Sequence, residues 1–595
     1  MDGALDAIYS AGMASNYQTF GKLRIDPATN PAVLDTTTWN TNDAWNQLKA
    51  LNDDVLAKAA SAEESKGSVE IAPGTVVHPA SRCASEEGTF VLVTLSDKQD
   101  VLLHYSSAGA PSAIGEPFGR RKLSDGRTVS AIATQDETID RYARRYLPEK
   151  VTRALGSTPR LGIGDRMSTS VFPGIWRAMQ RYGFAANAIQ NSLRELNMLE
   201  DVLEARAAMT NYLFSFGKIA EGHTGSTFEG LWLAGMLSAL KQPGALTFGA
   251  DADHIMVKRG EGGLDRAKRV ATSGRHYSFF TLDVSDVLNY GAINEESAAA
   301  SREYLEKLIP VAAERNAILA FHRDHKQIAG YDYDSSEEAL GRLVGKYWHA
   351  LEAAFELGEH VKSLKAGIPF DMELSIDENP AEVRTCDNLT KDSEVMFLLL
   401  EAQRRGLAIT HIAPNFGVEK GVDYRCPGGR EELEARIRRQ HEMASSFGLM
   451  LDCHSGDDLS SETRKVFGRA TGHQIHFKIS PMLQNIYGRT LEETYPENFK
   501  VWWDDIVDYA KAQAESGAEI AKEGLREIEK LDKPSARTGF FEHFCFATVG
   551  KRDEDGQYLF RELFYSLPDD FYQEYTKRLE IYLGEVAADT LGVKS

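Results

Sequence analysis

From Pro159 onward, short apolar runs alternate with longer stretches whose apolar residues recur at helical spacing. Eight runs read as strands: Arg160–Gly164, Phe184–Ile189, Ala245–Ala250, Tyr277–Leu282, Phe370–Ile376, Ala408–Pro414, Gly448–Cys453 and Gln474–Ser480. Eight strand–helix units predict an α/β fold, a parallel sheet closed into a (β/α)8 TIM-like barrel. Helical patterns after Glu497 and after Asp569 fall outside those units and predict extra C-terminal helices. Upstream the pattern differs. Residues 1 to about 65 read as helical or irregular, with a helix started by Asn42 or Asp43 and running through Trp45, Leu48, Leu51 and Val55. Val69–Ile71, Phe90–Val93 and Val101–Leu103 read as strands, and a charged helix lies around Ile139 to Tyr146. The predicted division is residues 1–150 as an N-terminal accessory α+β region and 151–595 as the barrel with its helical extension.

The polar positions carry the functional information. Almost every predicted strand finishes in a polar residue: Asp165, Gln190, Asp251 with Asp253 and His254, Asp283, Asp377, Asn415, His454. In a barrel these ends converge on one mouth, where residues distant in sequence meet. Two strands are also polar along one face. Asp371, Glu373, Ser375 and Asp377 alternate with Met372, Leu374 and Ile376, and His476, Lys478 and Ser480 alternate with Ile475, Phe477 and Ile479. An inward glutamate costs several kcal/mol unless it is paired or bound to a metal.

Charge and cysteine content narrow the class. The 595-residue chain has a formal net charge of −21, which argues against nucleic acid or an anionic membrane as partner. It leaves room for an anionic small molecule held by local Lys and Arg. The five cysteines, Cys83, Cys386, Cys426, Cys453 and Cys545, are odd in number and widely spaced. That spacing predicts free thiols in a reducing compartment. No basic leader and no uncharged apolar span are visible, so a cytoplasmic protein is expected. A homo-oligomer is compatible with the sequence.

The stretch Gly249-Ala250-Asp251-Ala252-Asp253-His254 places two carboxylates and an imidazole within four residues of a strand end. Such a set suits a divalent metal or acid–base chemistry. His254 and His454 are the first candidate ligands, with a carboxylate from Asp253 or Glu373, and one or both of His411 and His476 completing the set. Imidazole with carboxylate favours Zn, Mn, Co or Ni over Ca. Asp165, Arg166, Gln190, Arg194, Lys420 and Lys478 lie on or just after these strands and are candidate substrate contacts, Lys420 for a substrate carboxylate. No Walker motif is present, and Gly162-Ile163-Gly164 is too short for a dinucleotide fingerprint.

At these residues the sequence resembles the tagaturonate epimerase family. The stretches that carry the likeness run in order from Gly164-Asp165-Arg166, through Gln190 to Glu195, Gly249 to His254, Phe280 to Asp286, Glu373 to Glu378 and His411 to Tyr424, to His454-Ser455-Gly456 and His476-Phe477-Lys478. The resemblance implies a metal-dependent barrel enzyme that inverts C4 in fructuronate and tagaturonate. It implies Asp253 and Glu373 as the acid–base pair and His254 and His454 as ligands. The C4 hydrogen of a 2-keto sugar acid is not acidic, so retro-aldol cleavage of the C3–C4 bond and its re-formation on the other face is the expected chemistry, with transient oxidation at C4 as the rival route. The competing functions are a metal-dependent aldolase or ketose isomerase on the same barrel and, outside enzymes, a carbohydrate-binding protein.

Overall fold

The computed structural model describes residues 18–594 apart from 64–66, 108–112, 207–208, 214–216, 380–382 and 420. All eight predicted runs are strands: β1 (Arg160–Gly164), β2 (Ala185–Ser192), β3 (Phe248–Met256), β4 (Phe279–Asp283), β5 (Asp371–Ser375), β6 (His411–Ala413), β7 (Met450–Cys453) and β8 (Ile475–Ile479). They pair in parallel in sequence order, and β8 pairs back with β1, so the sheet is a closed barrel without edges. The ends differ from expectation most at β3, which runs on through Asp251, Asp253 and His254 instead of stopping at Ala250. Polar residues stay in the ladder there because the barrel interior supplies partners for them.

Each strand is followed by a helix that covers its outer face. The first, Phe172–Tyr182, ends at Gly183 in the left-handed conformation. The second, Phe228–Lys241, starts at Thr227, whose hydroxyl accepts from the Gly230 amide. Trp176 and Trp232 on these two helices are wholly buried, and truncating either to Ala would cost about 3–5 kcal/mol. A long excursion between β4 and β5 ends in the helix Glu337–Lys365. After the last barrel helix come the extra helices, among them Pro496–Glu515 and Asp569–Leu591, as the sequence pattern anticipated.

N-terminal to the barrel, six antiparallel strands between Val69 and Ala133 form a separate sheet. The single helix expected near Asn42 is two. Thr41–Ala50 is capped by Asn40 and Asp53–Ala60 by Asn52. The Asn52 side chain accepts from Val55 N and so starts a new helix in mid-pattern. Buried Lys150 joins this region to the barrel wall, donating to Ala80 O at 2.5 Å and Gln242 O at 2.7 Å. No described helix is long and apolar enough to cross a membrane.

Candidate active site at the barrel mouth

The barrel interior is organised around one ammonium. Lys478, on the inner face of β8, lies 3.0 Å from Asp251, 2.9 Å from Asp253, 2.9 Å from Glu373 and 3.8 Å from Asp452, and donates to Thr281 Oγ1 at 2.8 Å. β1 makes room for it. A Cβ on Gly162 would come within 2.4 Å of Gln190 Oε1 and 2.7 Å of Lys478 Cγ, so this inner position tolerates only glycine. The Gly-x-Gly of β1 is a packing device. Burial pulls the Lys478 ammonium down, but the surrounding carboxylates outweigh it and hold it well above the ordinary lysine value. The same ammonium, with His254 and His454, holds Asp253 far below the usual carboxylate range against burial. Asp251 goes the other way, pushed up by burial and then by the charges of Asp253 and Glu373.

Above this layer, a bulge aims two consecutive residues of β3 into the mouth. The pairing of β3 with β4 slips between Ala252 and Ile255, and His254 has φ 43°. Regular alternation would send Asp253 inward and His254 outward, but the bulge turns both toward the opening. His254 Nδ1 is 3.0 Å from Asp283 Oδ2 at the end of β4. His454 follows β7, with Nδ1 3.0 Å from Asp377 Oδ2 and Nε2 2.9 Å from Glu373 Oε1. The two imidazole rings meet edge to face at 4.6 Å. Burial opposes protonation of both rings, yet Asp253 and Asp283 raise His254, and Asp377 and Glu373 raise His454 well above its ordinary value.

Asp253, His254 and His454 each offer a ligand atom, all within 4.8 Å of one another. His454 Nε2 and Glu373 Oε1 are buried and 2.9 Å apart, yet neither makes a hydrogen bond of proper geometry. The orphaned Nε2 of His454, buried at the mouth beside Asp253 and His254, is disposed as a ligand of an ion held there. The donor chemistry, imidazole with carboxylate, fits a transition-metal dication. A second set, Glu373, Asp452 and His476, is equally close together. Both sets share the Lys478 ammonium, but the second lies deeper and wholly buried, whereas the first opens on the mouth.

The four histidines therefore do not share one site. His254 and His454 face the mouth. His476 lies deeper, its Nδ1 2.7 Å from Asp452. His411 lies deeper still: Nε2 accepts from Arg160 Nη2 at 2.8 Å and Nδ1 is 2.8 Å from Thr410 Oγ1, so both nitrogens are engaged. Arg160 in turn pairs with Asp371 at 3.2 Å. Together with Phe279, whose ring packs edge-on against His411 and His476, these residues plug the barrel below the mouth.

The expected substrate contacts separate in the same way. Asp165 is fully buried and accepts from the Gln190 amide at 3.1 Å, fastening β1 to β2. Gln190 Nε2 donates to Asp253 Oδ2 at 3.2 Å. Arg166 reaches Ser480 Oγ at 2.9 Å and Glu195 at 3.2 Å. Arg194 donates from Nη2 to Glu378 at 2.8 Å, while its buried Nη1 makes no hydrogen bond. Lys420 lies outside the described residues. Lys478 is a site residue, but its nearest partners are carboxylates of the barrel itself. Asp452, Thr281 and Glu378 also stand in the site and were not among the residues expected there. Alternation along β7 and the acidic residue beside Asp377 were the available signals.

The expectation of free thiols fails for one pair. Cys386 and Cys426 form a disulfide with Cα atoms 5.3 Å apart. They are 40 residues apart in sequence but lie on the loops that follow the adjacent strands β5 and β6, which sequence spacing alone does not bring together. The same loops meet through Asn415 Nδ2, which donates to Asn388 O at 2.8 Å and Asn379 Oδ1 at 3.3 Å. Cys83, Cys453 and Cys545 are free thiols.

A family model described as tagaturonate epimerase matches residues 222–586 of this chain. Among solved structures, the chain is similar to native fructuronate-tagaturonate epimerase UxaE from Cohnella laeviribosi, with TM-score 0.62 and 20% identity over 92% of this chain and 100% of that one. It is similar to the two-glycerol complex of the same enzyme, with TM-score 0.63 and 20% identity over 91% of this chain and 99% of that one. The one-glycerol complex gives TM-score 0.60 and 20% identity over 87% and 96%. At this identity the structural likeness speaks for the fold. Nothing among the curated proteins matches the chain.

Proposed function

The chain belongs to the tagaturonate epimerase family, a family of isomerases, and from that premise we propose that it interconverts fructuronate and tagaturonate at C4 with a divalent metal held by Asp253, His254 and His454. The observation that carries the reading is the convergence of these three groups and Glu373 above a single lysine. A metal held there, Zn, Mn, Co or Ni by its donors, would supply a Lewis acid for negative charge that develops on the substrate.

The chain's own residues do the rest. One of Asp253 and Glu373 takes the proton of the C4 hydroxyl. The C3–C4 bond electrons move to the three-carbon fragment, leaving an enediolate and a three-carbon aldehyde that carries the carboxylate. The aldehyde turns, the enediolate carbon attacks its other face, and the second carboxylate returns a proton to the new C4 oxygen. Lys478, 2.9 Å from each of these carboxylates, balances whichever one is ionised. Asp283 orients the imidazole of His254 through a hydrogen bond at Nδ1, and the Asp377 carboxylate lies 3.0 Å from Nδ1 of His454, which leaves Nε2 of each for the ion. Arg194, with its unpaired Nη1, and Arg166 beside it are suited to hold the substrate carboxylate while the fragment turns.

The test is to incubate the purified, metal-loaded protein with tagaturonate and read the product by NMR. Fructuronate should form, formation should stop with a chelator, and it should return on adding metal. Release of free three-carbon fragments instead would make the enzyme an aldolase, and no reaction under any metal would remove the assignment.

A further inference from the structure

A second cavity of about 500 Å3 opens beside the mouth, between the excursion that follows β2 and the segment 546–556 of the C-terminal helices. It is not part of the site described above. Its walls are largely apolar, with Tyr509 and Phe546 in edge-to-face contact at 5.8 Å, beside Ala220 and Ala547. Its volume is within the range of small-ligand sites. Two groups in it point to a ligand. His223 lines it with a side chain only 8% exposed, and its Nδ1 makes no hydrogen bond. Arg552 makes one long side-chain contact among the described residues, 3.5 Å to Asn197 Oδ1. The other cations are engaged: Lys551 pairs with Asp505 at 2.5 Å and Arg206 with Asp201 at 2.7 Å.

We propose that this cavity is a separate binding site for a small molecule with one carboxylate on a flat apolar body, the carboxylate held by Arg552 and His223 and the body lying against Phe546 and Tyr509. One guanidinium fork and one imidazole N–H match a single planar carboxylate. Glu221, Asp553 and Glu554 at the same cavity disfavour a multiply charged anion such as phosphate. The site also touches the mouth. On the far side of the imidazole, Nε2 is 3.7 Å from Glu195 Oε1, which accepts from Arg166 at 3.2 Å. The groups facing His223 are thus Glu195, Arg166, Arg194 and the Phe546 ring. Burial pulls the His223 imidazole below its ordinary value against the pull of Glu195. A carboxylate at Nδ1 with Glu195 at Nε2 places the ring between two anions, so binding takes a proton from solvent onto His223.

The experiment is calorimetry of the full-length protein with benzoate, in two buffers of different ionisation enthalpy at pH 7.5. Benzamide serves as the uncharged control and inorganic phosphate as the charged control without an apolar body. Benzoate should bind with net proton uptake, and more tightly than either control. Arg552→Met should weaken it about tenfold or more, as for a lost charge-assisted contact, and His223→Phe should abolish the proton uptake. Asp253→Asn, in the barrel mouth, should leave benzoate affinity within twofold. No benzoate binding, binding equal to benzamide, or loss of binding in Asp253→Asn would each overturn the assignment, the last by showing that benzoate enters the catalytic mouth.

Discussion

Replacing Lys478 by Met deletes the one positive charge that Asp251, Asp253 and Glu373 share at 3.0 Å or less. Side-chain exposure is 3% for Lys478, 0% for Asp251 and Glu373, and 14% for Asp253, so water cannot take over its role. Breaking a buried ion pair from one side costs about 3–5 kcal/mol, because the partner charge stays buried and uncompensated. For a chain of this length that is a fall of roughly 2–4 °C in thermal midpoint. A double-mutant cycle isolates the electrostatic part. Asp253→Asn, at the acid held most firmly ionised, leaves Glu373 on the ammonium and should cost less than Lys478→Met. In the Lys478→Met background it removes one uncompensated acid and should restore about 1–2 kcal/mol, within the range of coupled neighbours. The assay is thermal unfolding of the four proteins in chelator, so that bound metal does not contribute. A Lys478→Met variant as stable as its parent, or a double variant equal to the sum of the singles, would refute the picture of one lysine holding the buried acids around it, with Asp253 ionised among them.

Other outcomes follow from the mouth. His254→Ala and His454→Ala should stay folded and lose bound metal by elemental analysis, while Asp283→Asn and Asp377→Asn should weaken metal affinity by about 10–100-fold through the imidazoles they orient. Full occupancy in either alanine variant would take that histidine out of the ligand set. Asp253→Asn and Glu373→Gln should keep the fold and lower kcat by about 100-fold or more, and near-normal kcat in both would dismiss them as the acid–base pair. Arg194→Met should cost the hexuronate about ten- to hundredfold in kcat/KM and spare the uncharged ketohexose of the same stereochemistry. Equal losses would return the carboxylate contact to Lys420, to be tested by the same comparison with Lys420→Met.

The barrel was legible because its strands are apolar runs bounded by turn residues, and the polar face of β5 was legible because alternation survives in the sequence at Asp371, Glu373 and Ser375. The mouth was only half legible. Asp253 and His254 stood out by type, but nothing local announces the bulge that turns both inward, since the left-handed φ of 43° falls on a histidine and not on a glycine. His411 and His476 were indistinguishable from His454 in sequence. Their depth in the barrel depends on where each sits along its strand, and their engagement depends on Arg160 and Asp452, both contributed by other parts of the chain. Lys478 was visible as an inward cation. Its role as counter-charge to four carboxylates from three other strands needed the barrel to be closed. The Cys386–Cys426 bridge was hidden for the same reason.

The central claim is that C4 inverts by breaking and remaking C3–C4, with Asp253 and Glu373 handling only the hydroxyl proton. The most direct measurement follows tagaturonate labelled with deuterium at C4 through the reaction in ordinary water. Cleavage between C3 and C4 never breaks the C4–H bond, so fructuronate should form with all its deuterium retained and with a rate near that of the unlabelled substrate. Loss of deuterium to solvent, or a large primary isotope effect on kcat/KM, would show that the C4–H bond breaks and would contradict the account.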